Sequence, residues 1–273
     1  MDKILFIDYY NFLHRAAIRF DDSSVPDEEV FAFNFFRNLR PIIEQFAPNK
    51  CFFALEGHPQ FRHNIYAGYK ANRITKQASI DKKDSKKENV IKASSIIMDI
   101  LKLFPVTIAK AKDYEADDLI ATLCDNLKNE DLTIISNDSD YIQLLQKKYA
   151  KIQIYNPIIK NFQQNTLYPY VVWKSLAGDA SDNIPKIVSK NQATELASNP
   201  RKLLKFFENE ENRANFNINR SLIEFKIIPL EDLIIFDGIG DFAEVKKQFE
   251  LLKFDSILNK WDKYKNTFNC LTI

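Results

Sequence analysis

Glycine is scarce in this 273-residue chain, with 5 in all. A phosphate cradle of the P-loop or dinucleotide kind needs several glycines at fixed spacing, so that backbone N–H groups can close on the phosphates, and no such run is present. Kinase and dehydrogenase readings lose their main support. Cysteine is equally sparse: Cys51, Cys124 and Cys270 lie too far apart for paired metal-ligand spacing and suggest no disulfide framework. A reducing cytosol is the natural setting for such a chain. Long apolar runs are missing too. The opening MDKILFIDYY is too short for a signal peptide and is interrupted by acids, and no later run could span a bilayer. The expectation is a cytoplasmic protein with no membrane partner. Net charge is almost absent, since 38 lysines and arginines face 37 aspartates and glutamates. Any nucleic-acid partner must therefore show in how the two signs are segregated along the chain.

What is present is enough apolar sequence, 45% of residues, to bury one large domain or a domain with a smaller companion. Lys3 to Ile7 form a short apolar run ending at Asp8, and the same form recurs in KCFFALE, ending at Glu56, and in LTIIS, leading to Asp138. Such runs suit buried parallel strands. Helical patterns lie between them, at Glu28 to Phe46, Asn89 to Phe104 and Tyr114 to Leu127. The alternation predicts an α/β fold with a mostly parallel, doubly wound sheet flanked by helices. Pro41 falls inside the first helical pattern and predicts a kink or break there. From Ile74 to Lys92 apolar periodicity fades into a lysine-rich stretch that reads as a long insertion or a helical arch. After Asp182 the pattern is helical to the end. The expected division is an α/β core over 1–176, carrying a basic arch at about 70–92, and a helical DNA-binding region over 177–273.

The acids are distributed with purpose. In open α/β sheets the ligand crevice lies beyond the carboxyl ends of the strands, where Asp8, Glu56 and Asp138 fall. The stretch DYEADDLIATL places Glu115, Asp117 and Asp118 in three of four consecutive positions. Acids in a first helical turn complement the macrodipole, which is a sufficient structural reason on its own. Asp140 follows in SNDSDYIQLL, and Asp179 and Asp182 follow in GDASDNIP, giving nine carboxylates in five places. Like charges brought together drive one another toward the neutral form unless cations lie among them. Hard divalent ions are the obvious remedy. Magnesium takes only one or two direct carboxylates, so nine acids suit two ions, Mg2+ with Mn2+ as a substitute, with water-bridged outer ligands. Such a pair activates a water and stabilises a leaving oxygen in phosphodiester hydrolysis. No histidine supports zinc: His14, His58 and His63 share no ligand spacing with the cysteines and read as structural groups or phosphate donors. On a helical wheel Ala116, Leu119, Ile120 and Leu123 form a buried stripe, which sets Glu115 and Asp117 beside it and Asp118 opposite.

Basic residues form the counterpart. FRHNIYAGYKANR follows Glu56 and supplies Arg62, Lys70 and Arg73, with Tyr66 and Tyr69 interleaved as base-stacking candidates. Lys70 and Arg73 would share one helical face and could hold a scissile phosphate. The insertion adds Lys82, Lys83, Lys86 and Lys87, suited to a polyanionic backbone. A solvated basic face and a charged linker are the plainer readings of the same residues.

Five motifs in order, ILFIDYYNFLHRA, FRHNIYAGYKANR, YEADDLIATL, IISNDSDYIQLL and GDASDNIP, resemble those of the 5'-nuclease family. That family includes flap endonucleases and the 5'-exonuclease domains of bacterial DNA polymerases. Length and the segment LIEFKIIPLEDL look closest to the bacteriophage RNase H branch, which removes RNA primers and adjoining DNA. The resemblance implies a first metal cluster from Asp8, Glu56, Glu115, Asp117 and Asp138, and a second or outer one from Asp118, Asp140, Asp179 and Asp182. It implies that Lys70 and Arg73 engage the scissile phosphate at the base of the arch. Arg62, Tyr69, Lys82, Lys83, Lys86 and Lys87 are expected to contact nucleic acid. The implied substrates are DNA and RNA–DNA duplexes with 5' ends or flaps, cut to leave a 5'-phosphate and a 3'-hydroxyl. A monomer working beside a single-strand binding protein or sliding clamp would fit, in the host cytoplasm if the gene is a phage's. Glu56 stands where the family usually has aspartate, so its longer side chain must retract. The family's glycine-containing hairpin after SDNIP is replaced by KIVSKNQATEL, which leaves Lys186 or Lys190 to contact duplex DNA. Two other readings compete: a PIN-type ribonuclease with the same core, and a DNA-junction binder that has lost its chemistry.

Overall fold

The computed structural model of the chain describes residues 1–17, 25–72 and 81–272, with backbone alone for 81–86. The first half alternates as β1 (Lys3–Asp8), α1 (Tyr9–Ala16), α2 (Asp27–Phe46), β2 (Lys50–Leu55), α3 (Gln60–Ile65), α4 (Asp81–Leu101), β3 (Thr107–Ala111), α5 (Ala116–Asn126) and β4 (Asp131–Ile135). Then follow α6 (Ile142–Leu145), β5 (Lys151–Asn156), β6 (Asn161–Phe162), α7 (Tyr170–Ala177), α8 (Lys190–Ser198), α9 (Pro200–Phe206) and α10 (Glu210–Ile223). The chain closes with β7 (Leu233–Asp237), α11 (Phe242–Leu251), α12 (Asp255–Leu258) and α13 (Trp261–Asn266).

The seven strands form one sheet in the order β6-β5-β4-β1-β2-β3-β7. Its five central strands are parallel and the two edge strands antiparallel. The sheet is buried on both faces because β1 alternates between two cores. Leu5 and Ile7 pack with Phe35, Phe36 and Phe53 on one side, while Ile4 and Phe6 pack with Leu119, Ile120 and Ile134 on the other. The chain runs from β1 through β2 to β3 and only then crosses to β4 on the far side of β1. That reversal puts the topological switch point between β1 and β4, at their carboxyl ends.

The expected α/β class and parallel sheet are what the structure contains. One expectation fails, and of the kink or break expected at Pro41 the break does not occur. α2 runs unbroken past Pro41, which is exposed, while Leu39, Ile42 and Ile43 on its inner face stay packed in the core. Tertiary burial outweighs the helix-breaking tendency. The chain is also not helical from Asp182 to its end: LIIFD forms β7, pairing Thr107 with Asp237 and Ala111 with Leu233. Phe249, Phe254, Tyr264 and Phe268 then pack into the same core as Phe36 and Phe104. Helices α7 to α10 hold a separate small core, with Leu176, Ala193, Leu196 and Phe216 at its centre. Of the expected basic arch, residues 73–80 lie outside the described residues, and α4 begins at Asp81.

Candidate active site

β1, β2 and β4 each lead into one acid, and each acid accepts a backbone N–H at the start of a helical turn. Asp8 ends β1 and caps α1, its Oδ1 accepting from the Asn11 N–H at 3.2 Å. Asp138 follows β4 and caps the next turn by accepting from the Asp140 N–H at 2.9 Å. Glu56 follows β2, and its Oε2 accepts from the Ala116 N–H at 3.0 Å, at the N-terminus of α5. The longer side chain of Glu56 is thus drawn back by a helix end, where a negative charge is favoured. Capping and site formation are therefore the same interaction here. Gly57 makes this approach feasible: a Cβ there would lie 2.1 Å from the Ala111 carbonyl oxygen.

Asp8, Glu56, Glu115, Asp117 and Asp138 line one cleft of ≈ 550 Å³, together with Tyr10, Asn11, His14, Lys70 and Ala116. Burial raises the Asp8 carboxyl, Glu56 and Asp138 add to the effect, and it is pushed up to about 7 despite the Asn11 and Tyr141 hydrogen bonds. Burial raises Asp117 well above the usual carboxylate range, with Asp118 and Glu115 adding to the shift. Among the described residues, Asp8, Asp117 and Asp138 form no salt bridge with lysine or arginine.

Cations pair with Glu115 and with the second group of acids. Lys70 bonds to Glu115 and lies 3.8 Å from Asp182, and its backbone is left-handed, with φ 55°, fixed by a 2.8 Å hydrogen bond from its N–H to the Asp182 carbonyl. Burial pulls the Glu115 carboxyl up, but Lys70 and Arg62 outweigh it and hold the group below its ordinary value. Asp140, Asp179 and Asp182 form a second group whose carboxylate oxygens lie within 4.8 Å of one another. Lys174 sits among them, bonded to Asp140 and 2.7 Å from Asp179. Burial raises Asp140 to about 6 even against Lys174. For Asp179 the lysine wins over burial and brings the carboxyl to about 2.

Asp118 is held by partners far away in the sequence, and two expected nucleic-acid contacts do not survive this geometry. Asp118, opposite the core stripe of its own helix, is fully buried all the same. Its carboxylate accepts from Arg62 through both oxygens, at 2.5 and 2.7 Å, and also from the Lys226 N–H at 2.8 Å. It lies close enough to Glu115 and Asp117 to share an ion, and both of its oxygens already accept hydrogen bonds. Arg62 is 1% exposed, and its Nε donates to the Leu222 carbonyl at 2.9 Å, so it cannot reach a nucleic-acid backbone. Tyr69 is buried too and donates its hydroxyl to Glu115 at 2.9 Å, which leaves no ring face for stacking.

Of the remaining basic candidates, Lys87 is exposed on α4, and Lys186 and Lys190 are exposed at the turn into α8. Arg73 lies outside the described residues, as do the side chains of Lys82, Lys83 and Lys86. Sequence reasoning missed Lys174, Tyr10 and Asn11. A lysine in the otherwise apolar α7, five residues before Asp179, was the available signal for the first; nothing marked the other two.

The donor set suits hard divalent cations: every candidate ligand is a carboxylate oxygen, and several like charges face one open cleft. Residues 3–172 match the family described as 5'-3' exonuclease, N-terminal resolvase-like domain. The chain belongs to the 5'-3' exonuclease family. A 5'-3' exonuclease of Mycoplasmopsis pulmonis is 30% identical over 289 residues, covering 98% of this chain and 92% of its own. One from Bacillus subtilis is 27% identical over 92% of this chain and 83% of its own. Among solved structures, a bacteriophage T5 D15 flap endonuclease variant in a complex with DNA and metal ions shares the fold, with a TM-score of 0.64 and 15% identity over 98% of both chains. The protein is a nuclease with an acidic metal-binding cluster, and no helix among its described residues is long and apolar enough to cross a membrane.

Proposed function

We propose that this exonuclease hydrolyses single phosphodiester bonds at the 5' ends and flaps of DNA and of RNA-primed DNA, with Mg2+ as the working ion and primer removal in the cytoplasm as its task. The observation that carries the reading is the convergence of Asp8, Glu56, Asp117 and Asp138 on one cleft whose mouth holds Lys70. Bound divalent ions would supply an activated water and charge stabilisation for the leaving oxygen. Asp8, Glu56, Asp117 and Asp138 would hold the first ion, and Asp140, Asp179 and Asp182 the second. Glu115 orients Lys70, and the Asp182 carbonyl fixes its backbone, so the ammonium is aimed into the cleft before a phosphate arrives. Arg73 and the arch lysines Lys82, Lys83, Lys86 and Lys87 would track the incoming strand, while Lys186 and Lys190 would grip the duplex behind it. Tyr10, 37% exposed at the cleft wall, offers an aromatic face to the terminal base.

The test is cleavage of 5'-labelled flap, nicked-duplex and RNA-primed substrates with Mg2+ or Mn2+. Cleavage of flaps and primed duplexes in preference to unstructured RNA supports the reading. Intact substrates under all conditions overturn it, and a preference for unstructured RNA assigns the chain to ribonuclease work instead.

A further inference from the structure

The two carboxylate groups are prepared differently for metal. Asp8, Asp117 and Asp138 form no salt bridge among the described residues, whereas the second group already contains a cation. Lys174 rises from α7 with only 6% of its surface exposed, and its ammonium bridges Asp140 of one loop and Asp179 of another. Both oxygens of Asp179 and one of Asp140 are engaged. Asp179 Oδ1 accepts from the N–H and hydroxyl of Ser181 at 2.7 and 2.5 Å, and its Oδ2 faces Lys174. Asp140 Oδ1 takes both Lys174 and the Tyr170 hydroxyl, the latter at 3.3 Å. An ion entering this group meets an ammonium within bonding distance of two of its three ligands.

We propose that Lys174 is a built-in counter-cation of the Asp140–Asp179–Asp182 group and sets the affinity of the second divalent ion by competing with it. The inference rests on the two-ion reading of the site. An ammonium carries a single charge and cannot be shed by diffusion, so it neutralises the group at every metal concentration. A divalent ion must then displace it from Asp179 or bind beside it against repulsion. Among the described residues, Asp8, Asp117 and Asp138 of the first group form no ion pair of this kind. The nuclease is therefore a one-ion protein at low metal concentration and a two-ion protein only when metal is abundant. Lys174 acts as a positioning residue, since its described contacts are with carboxylates.

Mn2+ titration followed by electron paramagnetic resonance counts the ions directly on the full chain. Wild-type protein should bind one Mn2+ at least tenfold more tightly than a second. Lys174→Met should raise the second affinity tenfold or more and leave the first within about twofold, and Lys174→Arg should behave as wild type. Because Lys174→Met strips a buried cation from two acids, 15Nζ lysine spectra of the wild-type protein give an independent measurement. The Lys174 signal should shift with the second equivalent and not with the first. Equal affinities in the wild type, an unchanged second affinity in Lys174→Met, or a signal insensitive to the second equivalent would each overturn the inference. If no Mn2+ binds at all, the metal-site reading itself fails; two bound ions unaffected by Lys174 leave that reading standing and remove this one.

Discussion

The guanidinium of Arg62 lies against the carboxylate of Asp118 through two parallel hydrogen bonds of 2.5 and 2.7 Å, and neither residue is more than 1% exposed. Arg62 also donates to the Leu222 carbonyl, and Asp118 accepts from the Lys226 N–H, so one ion pair joins α3, α5 and the segment leaving α10. Removing one member leaves a buried charge without its partner, which costs about 3–5 kcal/mol. Arg62→Met should lower the melting temperature sharply, and Arg62→Met with Asp118→Leu should recover much of the loss. A single variant that melts like wild type would show that the pair is not buried in solution.

Asp138 offers a cleaner separation of chemistry from folding. Asparagine caps a helical turn about as well as aspartate, so Asp138→Asn should keep the hydrogen bond to the Asp140 N–H and the fold. Cleavage should fall by about a thousandfold or more, the scale expected when a ligand of a catalytic metal is lost, while binding of a flap substrate changes little. Turnover within tenfold of wild type would remove Asp138 from the site.

Proton linkage supplies a third measurement. Asp8, pushed up to about 7, and Asp140, pushed up to about 6, keep protons in the folded metal-free protein that the unfolded chain releases near pH 4. The folded state binds more protons across that window, so metal-free stability should fall as pH rises from about 4 to 7. Asp179, brought to about 2, works in the opposite direction: its contribution is present above pH 4 and is lost as pH drops toward 2. Metal needs Asp8 as an anion. Mn2+ affinity should therefore climb with pH and level off above about 7, with proton release at pH 6 read from calorimetry in buffers of different ionisation enthalpy. Affinity that is flat from pH 5.5 to 7.5 would contradict the Asp8 placement.

An ion that binds only the folded state stabilises it by about 2.7 kcal/mol at a hundredfold excess over Kd. The melting temperature should rise with Mg2+ and return on chelation. A melting temperature indifferent to both would argue against the clustered acids as a metal site.

Phe249 tests where the C-terminal residues belong. It is fully buried against Phe36, Phe254 and Tyr264, so Phe249→Ala should destabilise the whole chain by about 3–5 kcal/mol in a single transition. If only a fragment of the chain melted early, the C-terminal helices would be a separate unit.

The legible part of this structure is the part whose signal is local. Asp8, Glu56 and Asp138 stood out because each ends a short apolar run, and the sheet places those ends side by side. β3, β5 and β7 did not stand out: Lys110 and Gln153 interrupt the apolar signal of the first two, and β7 follows a long helical stretch and pairs with a strand about half the chain away. The burial of Asp118 was not legible because a helical wheel knows only its own helix. The side opposite the stripe is covered by α3 and by residues 222–228, which arrive from more than 100 positions later. Lys174 was passed over for a related reason, since a lysine on a short helix reads as solvated until the two acidic segments are folded around it.

The late return of the chain to the sheet orders events during synthesis. Every acid of the first group, from Asp8 to Asp138, has left the ribosome well before Leu233 is joined. The ladder that completes the sheet edge, and the aromatic residues that seal the core beneath it, come last. A nascent nuclease can gather its carboxylates while the sheet edge that β7 completes is still open.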